Sequence, residues 1–438
     1  MKKRGMERRD FLTAGALGAG VLVLRSDIVL GKDTPNSKLN IAAIGVGGRG
    51  KADINGVKSE NIVALCDLNK KNLAGMAKKF PKAKTYEDWR KCLEQKDIDA
   101  VVCATTDHTH AFVNVWAMNR GKHVYSEKPL ANSVHEARTV RETYLKNKDK
   151  IATQMGTQIH ATDNYRRVVE LVRRGAIGTP KSVSVWCSRM PKGGDYLPAA
   201  GNPPSHINWD LWIGPSPMHP FNPGYLRGCL GWNNYWDFGS GQIGDMGSHM
   251  MDLAFWALDL RFPTTCEAEG TPISKATCPQ WLIAKWDHPK NDWRPAVEVK
   301  WYDGGKKPGV PSAVFNRDKM FKGLIFMGDK GFLVADYDYR ILMPKKGSGH
   351  PKMPTPEEMI PKSKGHHQEW IDACKGDKKT LCNFDYSGAL IENNLLSLVA
   401  YRCGKKLEWD AKNLKATNCP EAGQYITKKY RDGWVLNG

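Results

Sequence analysis

From Lys38 onward the apolar positions follow one rhythm and then another. Ile41 to Ile44 is an unbroken apolar run, the mark of a strand buried on both faces. Similar runs follow in NIVALCD (61–67), DAVVCAT (99–105), KHVYSEKPL (122–130) and IATQMGTQ (151–158). Amphipathic stretches separate them: TYEDWRKCLEQKDI (85–98), THAFVNVWAMNRG (109–121) and SVHEARTVRETYLKNK (133–148) read as helices. This β-α-β alternation predicts a parallel, doubly wound α/β sheet over residues 37–157. Such sheets bind ligands beyond the carboxyl ends of their strands. Here those ends carry Thr105–His110, Glu127–Pro129 and Gly156–Gln158, so the three segments are expected to line one crevice.

The rhythm changes in residues 158–438, which are read as a second α/β domain. IGTPKSVSVWCSR (177–189) opens with a turn and then alternates with period two, as a strand with one open face does. VEVKWYDG (297–304) and LIFMGDKGFLVADY (324–337) read as later strands, and residues 365–377 and 387–403 as helices before a last strand. Between Pro191 and Asp237 there is little regular pattern, with Trp209, Trp212, Trp232 and Trp236 spaced among prolines. Loops this long inside an enzyme tend to be functional. Aromatic faces suit sugar rings, although plain packing explains most such tryptophans.

The first 36 residues follow neither rhythm. Arg8 and Arg9 precede an apolar, Ala/Gly-rich run from Phe11 to Leu24, too short to span a bilayer comfortably. This is the layout of a signal peptide, and the paired arginines fit a twin-arginine signal. Residues 1–36 are therefore expected to be a signal and linker, with the twin-arginine machinery as a partner. The expected location is periplasmic or otherwise exported, with membrane anchoring if the signal is not cleaved. Export of a folded chain also accommodates the eleven cysteines, which form no C-x-x-C pair and fall partly in apolar runs.

Charge changes the picture little. The 438 residues carry a formal +19, but the lysines are scattered and no nucleic-acid-binding motif accompanies them, so a solvated basic surface is expected.

Chemistry enters at the first strand–helix junction. Gly45, Gly47, Gly48, Arg49 and Gly50 fit G-x-G-x-x-G directly after a strand. The first glycine permits the tight turn, the second lets backbone approach a pyrophosphate, and the third lets helix and strand pack closely. Asp67 closes the second strand seventeen residues after Gly50, where a carboxylate binds a ribose hydroxyl and repels a 2′-phosphate. NAD is therefore expected in preference to NADP.

Two further patterns bear on a reaction. Lys128, in EKP at a strand end, could stabilise alkoxide charge beside a nicotinamide, or be an ordinary turn lysine. GSGQIGDMGSHMMD (239–252) sets Asp245, His249 and Asp252 at helical spacing. Three readings stay open for that trio: a structural network, a metal site, or an acid/base pair. In TTDHTHA, Asp107 is placed to cap a helix that His110 begins.

Taken together, AAIGVGGRG, CDLN, TTDHTHA, SEKPLA and GDMGSHMMD, in this order, resemble the Gfo/Idh/MocA oxidoreductase family, and in particular its exported members with twin-arginine signals. The resemblance implies a Rossmann domain followed by an α/β domain with a large, open, mostly antiparallel sheet. It also implies a homodimer or homotetramer. The family lysine falls on Lys128 and the family D-x-x-x-H pair on Asp245 and His249, with no metal. Thr105, Thr106, His108, His110, Glu127 and Gln158 fall near the cofactor. In this reading Lys128 polarises a substrate hydroxyl and His249 takes its proton, while Asp245 orients the imidazole, stabilises its protonated form or holds a sugar hydroxyl; Asp252 is structural or supports the site from behind. The implied activity is NAD-dependent oxidation of a secondary hydroxyl of a sugar, sugar derivative or cyclitol. Scarcity of free NAD outside the cytoplasm would require the bound cofactor to be reset in place. A second sugar could do so, or a redox-neutral cycle of oxidation, elimination and reduction that cleaves a glycoside. A sugar-binding module without catalysis is the third alternative.

Overall fold

The computed structural model describes residues 38–309, 319–349, 354–355, 359–376 and 379–437. The expected signal at 1–36 lies outside them. The chain from Lys38 packs as one unit.

Its first half is a six-stranded parallel sheet in the order β3-β2-β1-β4-β5-β6. The strands are β1 (Asn40–Ile44), β2 (Asn61–Cys66), β3 (Lys84–Tyr86), β4 (Ala100–Cys103), β5 (His123–Ser126) and β6 (Thr153–Met155). Between them run α1 (Gly48–Gly56), α2 (Lys70–Ala77), α3 (Trp89–Cys92), α4 (Asp107–Asn119) and α5 (Val134–Asn147). The order reverses between β1 and β4, so the crevice opens at their carboxyl ends. Polar caps set the helix starts. The Asn69 side chain accepts from the Lys71 and Asn72 amides to begin α2. Ser133 accepts from the Glu136 amide to begin α5, and the Glu136 carboxylate accepts from the Asn132 amide at 2.7 Å.

One expectation fails in this half. Residues 85–98 do not form one helix. Thr85 and Tyr86 pair with Leu65 and Cys66 as the edge strand, and the Asp88 side chain then starts a helix of one turn at Trp89. β-forming residues beside an open strand edge override a short helical pattern.

The second half begins with α6 (Asp163–Arg173) and contributes a mostly antiparallel, nine-stranded sheet among the described residues, ordered β13-β12-β11-β7-β10-β9-β8-β14-β15. Its strands are β7 (Pro180–Cys187), β8 (Thr265–Gly270), β9 (Leu282–His288), β10 (Val297–Asp303), β11 (Lys322–Gly328), β12 (Gly331–Ala335), β13 (Arg340–Pro344), β14 (Leu407–Asp410) and β15 (Lys415–Ala416). The β7–β10 pair is parallel and the other pairs are antiparallel. β9 and β10 alternate buried and half-buried residues, so one face packs and the other is open. The irregular stretch contains α7 (Trp209–Ile213) and α8 (Cys229–Trp232). It leads into α9 (Gly241–Asp245) and α10 (Gly247–Leu258), so residues 239–252 are two helices broken at Met246 rather than one. After α11 (His366–Cys374), α12 (Phe384–Cys403) is buried along most of its twenty residues. It packs on α5, and Arg138 donates two hydrogen bonds to Glu392 there at 2.7 and 2.9 Å.

Candidate active site

The carboxyl ends of β1, β2, β4 and β5 face α9 and α10 across a cleft of about 750 Å³. One end is the glycine turn. Gly45 has φ +83, and a Cβ there would stand 2.3 Å from the Ala104 carbonyl oxygen. A Cβ on Gly50 would stand 1.9 Å from the Gly45 carbonyl oxygen, so only glycine lets α1 seat this close to β1. Gly45, Gly47, Gly48 and Arg49 line the cleft, while Gly50 is buried beneath it. Asp67 stands at the tip of β2. Its Oδ2 accepts from the Val46 and Gly47 amides at 3.0 and 3.1 Å, and its Oδ1 from the Asn69 amide at 2.8 Å. The carboxylate therefore braces the turn as well as facing the cleft, and burial raises its pKa from the ordinary value. A glycine cradle, a helix N-terminus and a carboxylate ledge are the features a dinucleotide needs, so these residues fit NAD.

The middle of the cleft is a polar network. Arg49 Nε donates to Glu127 Oε1 at 3.1 Å, and Gln158 Nε2 donates to the same oxygen at 2.7 Å. Arg49 also pairs with the buried Asp53 at 3.2 Å. Burial, with the Asp53 charge adding to it, pushes the Glu127 carboxyl up to about 7. Thr105 and Thr106 line the wall, joined by Thr109, whose hydroxyl donates to Thr105 Oγ1 at 2.7 Å. α4 begins at Asp107 and not at His110; Thr106 is the cap position but makes no side-chain cap bond. His110 reaches the cleft, with its ring nitrogens 2.7 Å from the Pro129 and 3.1 Å from the Thr105 carbonyl oxygens. His108 does not line the cleft. Its ring is wedged between the Trp212 and Phe238 carbonyls, where burial lowers its pKa to about 4.

The other end gathers Lys128, Asp245 and His249. Lys128 Nζ donates to Asp245 Oδ1 in a close contact. Arg189 Nη1 donates to Asp245 Oδ2 at 2.7 Å, and Asn233 Nδ2 to the same oxygen at 3.4 Å. Burial by itself would lower the lysine pKa, but the Asp245 carboxylate more than offsets this and raises it. Burial would raise Asp245, yet Lys128 and Arg189 hold it below its usual range. Asp245 thus keeps Lys128 an ammonium. It does not orient His249, as one of the expected roles required. Its carboxylate is taken up by Lys128, Arg189 and Asn233.

The imidazole is held instead by Thr157. Thr157 Oγ1 donates its one proton to the Ser248 carbonyl at 3.1 Å and lies 3.1 Å from His249 Nδ1. The hydroxyl must then accept from Nδ1–H, which leaves Nε2 with its lone pair. Burial, reinforced by the Lys128 charge, lowers the His249 pKa to about 3, so the ring is neutral. Asp252 lies elsewhere: it accepts from the Tyr386 hydroxyl at 2.7 Å and contacts His160 Nδ1 at 2.9 Å. The three residues of the sequence trio are therefore not gathered round one point.

Arg189, Thr157 and Asp107 were not singled out for these roles from sequence. Arg189 closes the alternating strand pattern at 177–189, a charge placed where a sheet strand meets the crevice. Asp107 lines the cleft, and its contact of 3.5 Å with Trp232 Nε1 is weak. Burial pushes its carboxyl up to about 7, with Lys128 opposing and Asp245 reinforcing the shift.

Comparison with known proteins agrees with this fold. The Gfo/Idh/MocA profile described as an oxidoreductase family NAD-binding Rossmann fold matches residues 39–155. The profile of the family's C-terminal alpha/beta domain matches residues 138–287. Inositol 2-dehydrogenase of Salmonella typhimurium is 31% identical over 130 residues, which are 30% of this chain and 38% of that protein. Glycosyl hydrolase family 109 protein 1 of Bacteroides fragilis is 38% identical over 121 residues, 25% of this chain and 26% of that protein. Levoglucosan dehydrogenase of Pseudarthrobacter phenanthrenivorans is 26% identical over 196 residues, 43% and 40% of the two chains. The chain thus matches less than half the length of each of these relatives. In fold it is similar to the WlbA dehydrogenase of Bordetella pertussis, solved with NADH and UDP-GlcNAcA (TM-score 0.61, 15% identity, 85% of this chain and 99% of that one). It is similar also to aldose-aldose oxidoreductase of Caulobacter crescentus (TM-score 0.56, 15% identity, 85% and 100%). With residues 39–287 matched by the two profiles and the NAD cradle in place, the chain belongs to the Gfo/Idh/MocA oxidoreductase family and carries its NAD-binding Rossmann domain.

Proposed function

We propose that the protein is an exported NAD-dependent oxidoreductase that moves hydride between a secondary hydroxyl of a sugar, sugar derivative or cyclitol and the nicotinamide. The observation that carries this reading is the pairing of opposite protonation states in one cleft. Lys128 is an ammonium fixed by Asp245, and His249 is a neutral imidazole whose Nε2 has no partner among the described residues. NAD, when bound, supplies the acceptor for the hydride. Lys128 donates a hydrogen bond to the substrate oxygen and stabilises the alkoxide charge. His249 Nε2 takes the hydroxyl proton, and Thr157 holds the tautomer that makes this feasible. The carbinol thereby loses a proton from oxygen and a hydride from carbon and becomes a ketone. Similarity to inositol and levoglucosan dehydrogenases supports a cyclic polyol or sugar. Export through the twin-arginine route and assembly as a homodimer or homotetramer are part of the same proposal.

The match to the family 109 glycosyl hydrolase supports a second reading, in which the same oxidation begins a redox-neutral glycoside cleavage. One experiment separates the two. Cyclitols, aldoses and glycosides are added in turn to the NAD-loaded protein, and nicotinamide absorbance and products are followed. A ketone accompanied by reduced nicotinamide is expected. Release of free sugar with no net reduction would favour the glycosidase reading. Absence of both across the panel would contradict each.

A further inference from the structure

The chain leaves α12 at Cys403 and doubles back on itself. Gly404 takes a left-handed conformation at φ 64 and turns the chain toward β14. β15 returns antiparallel, with Trp409 opposite Ala416 and Asp410 opposite Lys415. The pairing continues beyond the ladder. The Thr417 amide donates to the Glu408 carbonyl at 2.8 Å. The Asn418 side chain accepts from the Glu408 amide and donates to the Lys406 carbonyl, each at 2.9 Å. Lys405 Nζ pairs with Glu421 Oε1 at 2.6 Å, and the turn at Pro420–Ala422 packs on α12. This register carries the Cys419 thiol to the end of α12, within hydrogen-bonding reach of the Cys403 thiol.

The pair differs from the other cysteines. Eight of the eleven are buried, and Cys229, Cys374 and Cys403 are half-buried. Cys229 has Asp107, Asp245 and Lys128 around it, and Cys374 has Glu60 and Lys375. Cys403 is the half-buried cysteine whose neighbour is a second thiol. Burial, with the Cys419 thiol adding to it, pushes the Cys403 thiol up to about 12. Its thiolate is scarce and its attack on an outside disulfide slow, which suits a bond made once and not a fast redox catalyst. The residues after Cys419 form a strap over the rest of the molecule. Tyr430 donates to Glu136 at 3.1 Å, Arg431 Nε to the Gly214 carbonyl at 3.0 Å, and the Val435 carbonyl accepts from Trp116 Nε1 at 2.9 Å.

We propose that Cys403 and Cys419 are a modification site: a dithiol that closes in the folded protein to a disulfide, stapling the end of α12 to the root of this strap. The oxidant is an outside disulfide. The thiolate of Cys403, the more exposed of the two, attacks one of its sulfurs and expels the other as a thiolate. The Cys419 thiolate then attacks the Cys403 sulfur and expels the second. Two protein thiols lose two protons and two electrons, and the outside disulfide is reduced to two thiols. The loop so closed runs from 403 to 419 and restricts the unfolded chain more than the folded one. None of its residues lines the cleft, so the staple does not depend on the carbohydrate reading. Export, part of that reading, would supply the oxidising compartment.

The test is a disulfide map with a stability readout. The full chain, folded and fully reduced, is incubated with oxidised glutathione. Remaining thiols are alkylated, and the tryptic peptides are weighed without reduction. Peptides 403–405 and 416–428 are expected as one linked species, lighter by two hydrogens than their sum. The same species is expected from Cys374→Ser, which removes a half-buried thiol outside the pair. In urea the oxidised native protein is expected to unfold at a midpoint roughly 0.5–1 M above its reduced form. Cys403→Ser is expected to show neither the linked peptide nor the gap between midpoints. Recovery of Cys403 and Cys419 from the native protein as separate alkylated thiols would overturn the staple. So would glutathione held on Cys403 without a link to Cys419, or equal midpoints for the linked and reduced forms.

Discussion

At the scale of residues, the site depends on which groups are charged. Asp245 sets the state of Lys128 within a buried pair. Lys128→Ala is expected to lower kcat by about a thousandfold or more, as loss of a positioned donor to a developing oxyanion does, while NAD still binds. Steady-state rates and nucleotide titration check this, and near-native turnover would remove Lys128 from the chemistry. Asp245→Asn leaves burial to disfavour the ammonium and removes the largest influence favouring it, with Cys229 and Asp107 the lesser ones that remain. The alkaline limb of the rate profile should move to lower pH; an unmoved limb would separate Lys128 from Asp245. Asp107, which faces Lys128, Asp245 and Trp232, titrates at about 7 in the fold and near 3.9 in an unfolded chain. Between those values the folded state keeps the proton and the unfolded state has lost it, so the stability Asp107 contributes falls as pH rises. Asp107→Asn should therefore gain on the native protein between pH 5 and pH 8, by on the order of 2–4 kcal/mol. Urea unfolding of the nucleotide-free proteins at both pH values decides the point, and an equal difference at both would contradict it.

Elements explain how these residues meet. Lys128, Arg189 and Asn233 take up the Asp245 carboxylate, and His249 is left to Thr157, which lies 92 positions away in sequence. Thr157→Val removes the acceptor that fixes the imidazole tautomer. It should lower kcat about tenfold to a hundredfold with little change in nucleotide affinity. A change confined to KM would contradict the tautomer argument. Much of this level was legible in the sequence. Unbroken apolar runs at 41–44 and 100–104 announce buried strands, and the glycine turn with Asp67 announces the cradle, because both are local patterns with local causes. Thr157 and Asp107 fall in strand-end segments expected to line the crevice, but their roles, like that of Arg189, arise from contacts with distant segments that leave no local pattern. The same limit explains 85–98, where pairing with β2 outweighs a helical spacing. It also explains Asp252, which shares α10 with His249 but is drawn to His160 and Tyr386.

For the whole molecule, the two halves share one framework, because α12 returns from the second half to pack along α5 of the first. Arg138 and Glu392 meet there, with 11% and 2% of their side chains exposed. Glu392→Ala leaves the guanidinium buried with no carboxylate, beside the Ala411 carbonyl and the Phe262 ring, and should destabilise the protein by about 3–5 kcal/mol. Chemical denaturation would show this as a shifted midpoint; an unchanged midpoint would mean that the halves do not depend on this contact. The resemblance to one oxidoreductase family indicated the second sheet better than the apolar pattern did. β8 shows little alternation and does not stand out alone, and its pairing with β9 becomes visible only in the assembled sheet. The joining of a cradle in one half to a proton-handling cluster across the cleft is what makes oxidation of a carbinol the central reading. It is tested most directly by giving the NAD-loaded protein cyclitols and aldoses deuterated at their carbinol carbons and weighing the recovered nicotinamide. Deuterium should appear on the cofactor with the native protein and be absent with Lys128→Ala. If no deuterated polyol labels the native protein's cofactor, hydride transfer from a carbohydrate hydroxyl is not what this cleft does.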